Sequence, residues 1–209
     1  MKIKNSLWCV LTLVCSVAFT ACDDDDNGLK TQAHDDNEMM AIMHDMSADM
    51  DAMTMTKDAD HDFAMMMKMH HQGAINVGNK ELEQGDDATI KAIAQTMISM
   101  QQAEIEELQA FLDSHTADAS TEGEMWDMEA MEAMDRMDRN ADLEVLTGDA
   151  DHDMAILMIN HHQSAMDMAQ SLLHHGHHEE LKTMATKMIE DQSKEIKELQ
   201  DWLLQEKNY

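Results

Sequence analysis

The chain has 209 residues, with 43 Asp and Glu against 14 Lys and Arg, and its formal net charge is −29. This charge excludes nucleic acid as a partner, because phosphate binding depends on cationic side chains that release counterions. With 44% apolar residues the chain can bury a core, which excludes wholesale disorder. The absence of proline, the 7 glycines and the 3% aromatic residues favour an all-α fold.

The N-terminal residues have the pattern of a targeting segment. Two lysines precede an apolar run over residues 7–19, and Cys22 follows. This order is typical of a signal peptide, residues 1–21, that ends in a lipoprotein-type cleavage site. The resemblance to bacterial lipoproteins implies a lipid on Cys22 and an acidic, lipidated tether over residues 22–38. The alternative, a transmembrane anchor, is disfavoured because the run is short for a bilayer. We expect a cell-envelope lipoprotein of the Gram-negative outer membrane, facing the periplasm or the surface, that contacts the membrane through its lipid only.

The rest of the chain is an internal duplication with an offset of 91 residues. Residues 58–74 match residues 149–165 at 11 of 17 positions, and residues 96–112 match residues 187–203 at 9 of 17. Shared composition alone would give roughly two matches in total. The positions that both copies share are therefore an internal comparison of which residues matter.

Each copy is predicted to contain two long helices, because apolar residues recur at helical spacing and glycines mark the turns. The predicted helices span about residues 60–84 and 88–112, then 151–174 and 179–204, with Asp60 as the first N-cap. A methionine-rich helical stretch precedes each copy, and Met39, Met43, Met46, Met50 and Met53 have the spacing of a packed helix. The predicted organisation is a first helical repeat over residues 39–113, a linker over 114–123 and a second helical repeat over 124–206.

In both copies a methionine stands one helical turn before two histidines. The candidate metal ligands are Met67, His70 and His71, then Met158, His161 and His162. Side chains three and four residues apart share a helix face. Thioethers favour Cu(I) or Ag(I), and imidazoles bind Cu, Zn, Fe or Ni. Further candidates are His61, Met66 and His152. The alternative is that the paired histidines only straddle the edge of a core.

The second helix of each copy has polar residues inside its apolar stripe. These residues are Gln101 and Glu104 in the first copy, and Gln192 and Glu195 in the second. A buried carboxylate is costly unless it is paired or binds a metal. We expect Glu104 and Glu195 to contact the histidines, either as ligands or, as we favour, as groups that orient an imidazole.

Two further features stay open at this point. The 25 methionines suit core packing, but leucine specifies a core better, so a metal-binding role is an alternative. The run His174-His175-Gly176-His177-His178 either binds metal weakly or is a solvated loop. The chain has no glycine-rich phosphate loop, no nucleophile elbow and no H-E-x-x-H motif.

The shared residues resemble the domain-of-unknown-function 305 family of bacteria. The resemblance rests on Asp60, Phe63, Met67, His70-His71-x-x-Ala74 and Gln101-x-x-Glu104-Ile105, and on Asp151, Met158, His161-His162-x-x-Ala165 and Gln192-x-x-Glu195-Ile196. It implies a ferritin-like helical bundle in the cell envelope, and some members are His/Met-rich copper binders implicated in copper resistance. The chain departs from the family at Met69 and Asn160, where many members have proline, and at Met154, where the motif has phenylalanine.

The sequence therefore predicts an all-α, envelope-anchored protein that binds copper ions and acts by sequestration, delivery or resistance, without turnover. An alternative is a metal-independent structural or interaction bundle, and another is a copper or iron redox enzyme. The sequence indicates metal cations as partners, no organic cofactor and no particular protein partner.

Overall fold

The computed structural model describes residues 30–205, which fold into six α-helices and a short 3-10 turn, with no strand in that range. The helices are α1 (Glu38–Asp51), α2 (Ala59–Gln84), α3 (Ala88–Ser114), α4 (Thr121–Ala141), α5 (Ala150–His175) and α6 (Glu179–Gln205). The all-α prediction is confirmed. The predicted signal peptide and Cys22 lie outside the described residues.

The duplication is visible in the helix boundaries. Both ends of α5 and of α6 lie 91 residues after the corresponding ends of α2 and α3. The four predicted repeat helices are confirmed, but the N-cap of α2 is Asp58 rather than Asp60. Asp58 accepts hydrogen bonds from the backbone N–H groups of Asp60 and His61, at 3.0 and 3.1 Å. Asp60 lies inside the helix, and its carboxylate contacts the other repeat.

The helices pack as two related halves. Helix α2 packs along α3, α5 packs along α6, and α2 contacts α5 across the interface between the repeats. Helices α1 and α4 cover α2 and α5, respectively. The core is rich in methionine, with Met39, Met40, Met43, Met46, Met50, Met66, Met67, Met97, Met134, Met137, Met154, Met158, Met168 and Met188 all buried. The arrangement is a helical bundle whose central contact is α2 with α5.

Two aspartates join the repeats reciprocally. The Asp60 carboxylate on α2 accepts the backbone N–H of His177, before α6, at 2.7 Å. In the same way Asp151 on α5 accepts the backbone N–H of Asp87, before α3, at 3.0 Å. Charge-assisted bonds of this kind are stronger than neutral ones. Each half therefore binds the loop between the two long helices of the other half. These bonds set the register of α2 against α5.

The turn before each central helix is also repeated. Lys57 and Gly148, one residue before the two N-caps, have positive φ angles of 66° and 78°. The buried carboxylate of Asp62 accepts the backbone N–H of Lys57 at 2.8 Å, and Asp153 accepts that of Gly148 at 2.9 Å. These bonds stabilise a backbone conformation that is unfavourable for lysine.

The bundle includes part of the segment that was predicted as a tether over residues 22–38. The backbone N–H of Gln32 donates to Leu146 O at 2.7 Å, and Asn37 Nδ2 donates to Asp153 Oδ2 at 2.7 Å. Residues 30–37 therefore lie against the turn before α5, because that turn offers them hydrogen-bond acceptors. Across residues 30–205, no helix is both long enough and apolar enough to cross a membrane.

Glu81, near the end of α2, is a buried acid that the symmetry does not explain. Its side chain is fully buried, and neither carboxyl oxygen accepts a hydrogen bond from the described residues. Burial, followed by the neighbouring Asp151 carboxylate, raises the pKa of Glu81 to about 8. The corresponding residue of α5 is Leu172. Glu81 is therefore protonated at neutral pH.

We expect the substitution Glu81→Gln to become more stabilising as the pH rises. The unfolded-state pKa is near 4.5 and the folded-state pKa is about 8, so the wild type loses stability across this window. The glutamine variant has no such loss, so its relative free energy of unfolding should rise by up to about 1.4 kcal/mol per pH unit and level off above the window. Urea unfolding at several pH values measures this difference. The control Glu106→Gln replaces an exposed glutamate on α3 and should show a much smaller change over the same pH range. A constant difference for Glu81→Gln would contradict the assignment.

Candidate metal centre

The two His-His pairs meet at the contact between α2 and α5. His70 and His71 on α2, and His161 and His162 on α5, are all 0% exposed. The rings of His70 and His161 have centroids 3.6 Å apart and planes inclined by 31°. The structure therefore brings the four predicted imidazoles into one buried cluster, which we call the histidine core.

The outer imidazole of each repeat lies against a glutamate. His71 Nε2 donates to Glu104 Oε2 at 2.8 Å. His162 Nε2 is 3.0 Å from Glu195 Oε2, but its N–H is not aligned with that oxygen, so the contact is an ion-pair distance rather than a hydrogen bond. The predicted contact between glutamate and histidine is present in both repeats. In both contacts the carboxylate faces Nε2 of the imidazole, and Nδ1 of the same ring has no partner among the described residues.

The inner imidazoles are held by different groups in the two repeats. His161 Nε2 donates to the backbone oxygen of His70 at 3.0 Å, so His161 carries its proton on Nε2. His70 Nε2 is 2.8 Å from Ser164 Oγ, whose hydroxyl is 2.7 Å from the backbone oxygen of His161. Because that oxygen only accepts, the serine donates to it and accepts from His70. Ser164 has no equivalent in the first repeat, where Gly73 stands.

Several buried polar atoms around the histidine core have no hydrogen-bond partner among the described residues. They are Nδ1 of His70, His71, His161 and His162, Nε2 of His162, both carboxyl oxygens of Glu195, and the side-chain amides of Gln101 and Gln192. An unsatisfied buried polar atom costs about 1–3 kcal/mol, and such atoms in native proteins call for an explanation. The two glutamines were not predicted as site residues. Their positions inside the apolar stripes of both copies could have indicated that they are buried near the histidines.

Burial keeps the inner imidazoles neutral. It lowers the pKa of His70 well below its usual value, and the neighbouring His161, His71 and His162 lower it further. Burial likewise lowers the pKa of His161 well below its usual value, with His162 adding to the effect. A neutral imidazole has a nitrogen lone pair available for a metal without first losing a proton.

Buried thioethers lie on the two helices that carry these rings and on α4. Met66, Met67 and Met158 on the central helices are 0% exposed. Ser164 Oγ, which contacts His70, is also 3.3 Å from Met137 Sδ on α4.

Met46 on α1, which corresponds to Met137, lies against Gly73 on α2. A Cβ added at Gly73 would lie 2.3 Å from Met46 Sδ, so the glycine makes room for this sulfur. Met46 and Met137 are 91 residues apart, like the histidines, but neither was among the predicted metal ligands.

The structure places His61 and His152, which were further candidates, away from the histidine core. Each lies nine residues before the first histidine of its pair, about 13 Å away along the helix axis. His152 Nδ1 is 3.3 Å from Asp153 Oδ1, at the start of α5. Nine residues of helix therefore separate His61 and His152 from the His-His pairs, although they are close to them in the sequence.

Within residues 30–205, no group of three or more His, Cys, Asp or Glu side chains is arranged to hold a metal ion. The four imidazoles are therefore not a ready-made site by themselves. A metal at the histidine core would need thioether ligands, a change of side-chain rotamer, or both.

The comparisons with known proteins concern the family and the fold. The sequence profile of the family described as "Domain of unknown function (DUF305)" matches residues 20–112 and again residues 60–203. The crystal structure of a DUF305 protein from Streptomyces coelicolor, inferred to be secreted, has a TM-score of 0.56 and 23% identity, over 71% of this chain and 94% of that one. A DUF305 fragment from Deinococcus radiodurans has a TM-score of 0.52 and 21% identity, over 70% of this chain and 96% of that one. No curated protein has a matching sequence.

The two solved structures support the helical fold alone at these identities. The profile, in contrast, covers both repeats and includes the Met-x-x-His-His motif of each one. The chain is therefore a member of the DUF305 family, a domain of unknown function.

Proposed function

We propose that the protein binds Cu(I) at the histidine core and acts by sequestration or delivery of the ion in the cell envelope. The observation that carries this proposal is the set of four unpartnered Nδ1 atoms, with a buried methionine one helical turn before each His-His pair. The ligands would be drawn from Met67, His70 and His71, and from Met158, His161 and His162. No turnover is involved.

The donor set favours a soft monovalent ion. Thioethers bind Cu(I) and Ag(I) in preference to hard cations, and neutral imidazoles add borderline nitrogen ligands. The predicted mature chain has Cys22 as its only cysteine, and that residue is the predicted lipid attachment site, so thiolates are not available. The net charge of −29 attracts cations to the surface at low ionic strength.

Glu104 and Glu195 act as orienting groups rather than ligands. Each carboxylate lies beside Nε2 of its histidine, at 2.8 and 3.0 Å. A histidine that binds a metal through one nitrogen commonly gives its other N–H to a carboxylate, which fixes the ring and raises its basicity. The free Nδ1 of His71 and of His162 is then the ligand atom.

The proposed location rests on the N-terminal sequence and on one relative. The apolar run followed by Cys22 is typical of a lipoprotein signal. The Streptomyces coelicolor structure is that of a protein inferred to be secreted. We infer that this chain also works outside the cytoplasm, as an outer-membrane lipoprotein.

Metal selectivity tests the proposal. The purified protein is titrated anaerobically with Cu(I) in competition with a chromogenic chelator, and with Zn(II) and Fe(II) in parallel. Tight Cu(I) binding at integer stoichiometry supports the proposal. Weak, graded binding of every cation would overturn it and would indicate a polyanion with structural histidines.

Replacing the two thioethers should weaken Cu(I) binding without disturbing the fold. We expect Met67→Leu with Met158→Leu to lower Cu(I) affinity at least tenfold, because leucine keeps the side-chain volume but has no sulfur. The matched control is Met97→Leu with Met188→Leu, which replaces buried methionines on α3 and α6. Chelator competition measures affinity, and circular dichroism checks helicity. Equal affinity in the two double variants would contradict the role of these sulfurs.

Replacing the two glutamates should weaken binding but leave the number of bound ions unchanged. Glu104→Gln with Glu195→Gln keeps a polar group beside each histidine but removes the carboxylate charge, so we expect a loss of about 10- to 100-fold in affinity. The stoichiometry and the copper ligands seen by X-ray absorption should stay the same. Loss of a bound ion or of an oxygen ligand would show that the glutamates bind the metal directly.

A further inference from the structure

A second group of histidines lies at one end of the bundle, away from the histidine core. It consists of His61 on α2, His115 after α3 and His178 before α6, all half-buried. The ring centroids of His61 and His115 are 5.8 Å apart, and those of His115 and His178 are 4.7 Å apart. We call this group the terminal histidine cluster.

Hydrogen bonds fix the three chain segments that carry this cluster. Asp58 caps α2 and accepts from His115 Nε2 at 2.8 Å. Asp60 accepts the backbone N–H of His178 at 3.2 Å. The backbone N–H of His115 donates to Phe111 O at 2.9 Å, which holds it to the end of α3. The three rings are therefore brought together by the same aspartates that start α2 and join the repeats.

The hydrogen bonds also leave ring nitrogens free. A carboxylate oxygen accepts, so His115 carries its proton on Nε2 and has a lone pair on Nδ1. A carboxylate paired with one ring nitrogen is the common arrangement behind a metal-binding histidine. His61 Nδ1 is buried and has no partner among the described residues. Two of the three rings thus have a nitrogen that no protein group uses.

Two of the three ring pairs have the spacing expected of ligands to one metal ion. For a tetrahedral metal with metal–nitrogen bonds near 2 Å, two imidazole centroids are about 5 Å apart. The observed distances of 4.7 and 5.8 Å bracket that value. The donor atoms do not yet point at one position in the described residues, so binding requires rotation of the rings about their side-chain torsions.

We propose that His61, His115 and His178 form a second metal site, which binds a borderline divalent cation, Zn²⁺ or Cu²⁺, with water completing the coordination. Imidazole ligands without thioethers suit these ions better than Cu(I). The site is independent of the proposed Cu(I) function. The duplication does not repeat this set of histidines, because the sequence positions that correspond to His115 and His178 at the 91-residue offset are Glu206 and Asp87.

A Zn²⁺ titration of the purified protein by calorimetry tests the second site. We expect His61→Gln with His178→Gln to lower the affinity of one Zn²⁺ site at least tenfold, since two ligands are lost. The matched control is His152→Gln, which replaces the counterpart of His61 in the second repeat. It should change the affinity less than twofold. Unchanged Zn²⁺ binding in the double variant, or an equal loss in the control, overturns the proposal.

A second readout assigns the ligand atom. In ¹⁵N NMR of the imidazoles, Zn²⁺ should shift Nδ1 of His115 while its Nε2 keeps the proton donated to Asp58. Zn²⁺ that shifts only other histidines overturns the site. Anaerobic Cu(I) affinity of the same double variant should equal that of the wild type, which separates this result from the Cu(I) proposal.

Discussion

The burial of four imidazoles at the contact between α2 and α5 is the constraint on which the rest of the structure depends. Polar rings without water require hydrogen-bond partners. Here Nε2 of His70, His71 and His161 has a partner, whereas Nε2 of His162 and all four Nδ1 atoms have none among the described residues. A core that served packing alone would be more stable with apolar residues at these positions. Burying imidazole nitrogens without partners costs folding free energy, and a ligand that binds those nitrogens would offset this cost. This argument is the basis of the proposed Cu(I) site.

The duplication supplies the geometry that this cluster needs. A single repeat has one His-His pair on one helix, and only the packing of α2 against α5 brings the rings of His70 and His161 within 3.6 Å. The reciprocal bonds of Asp60 and Asp151 fix that packing from both ends. The aspartate of the family motif therefore has a structural role.

Much of the fold could be predicted from the sequence, because its signals are local. Apolar spacing and glycine turns gave the four repeat helices, and the polar interruptions at Glu104 and Glu195 indicated their contact with the histidines. Contacts between distant segments could not be predicted. The place of His61 beside His115, the sulfur of Met137 near Ser164 and the reach of Asp60 across the repeats all depend on how the helices pack, which periodicity does not encode.

The two proposed metal sites differ in their donor atoms and in burial. A buried methionine precedes each His-His pair of the histidine core by one helical turn, whereas the terminal histidine cluster is half-buried and is proposed to bind through imidazoles without thioethers. The most direct measurement of the central claim is copper K-edge X-ray absorption of the protein loaded with one equivalent of Cu(I). The account predicts a signal from both sulfur and imidazole nitrogen around the copper. A spectrum with only oxygen and nitrogen neighbours would contradict it.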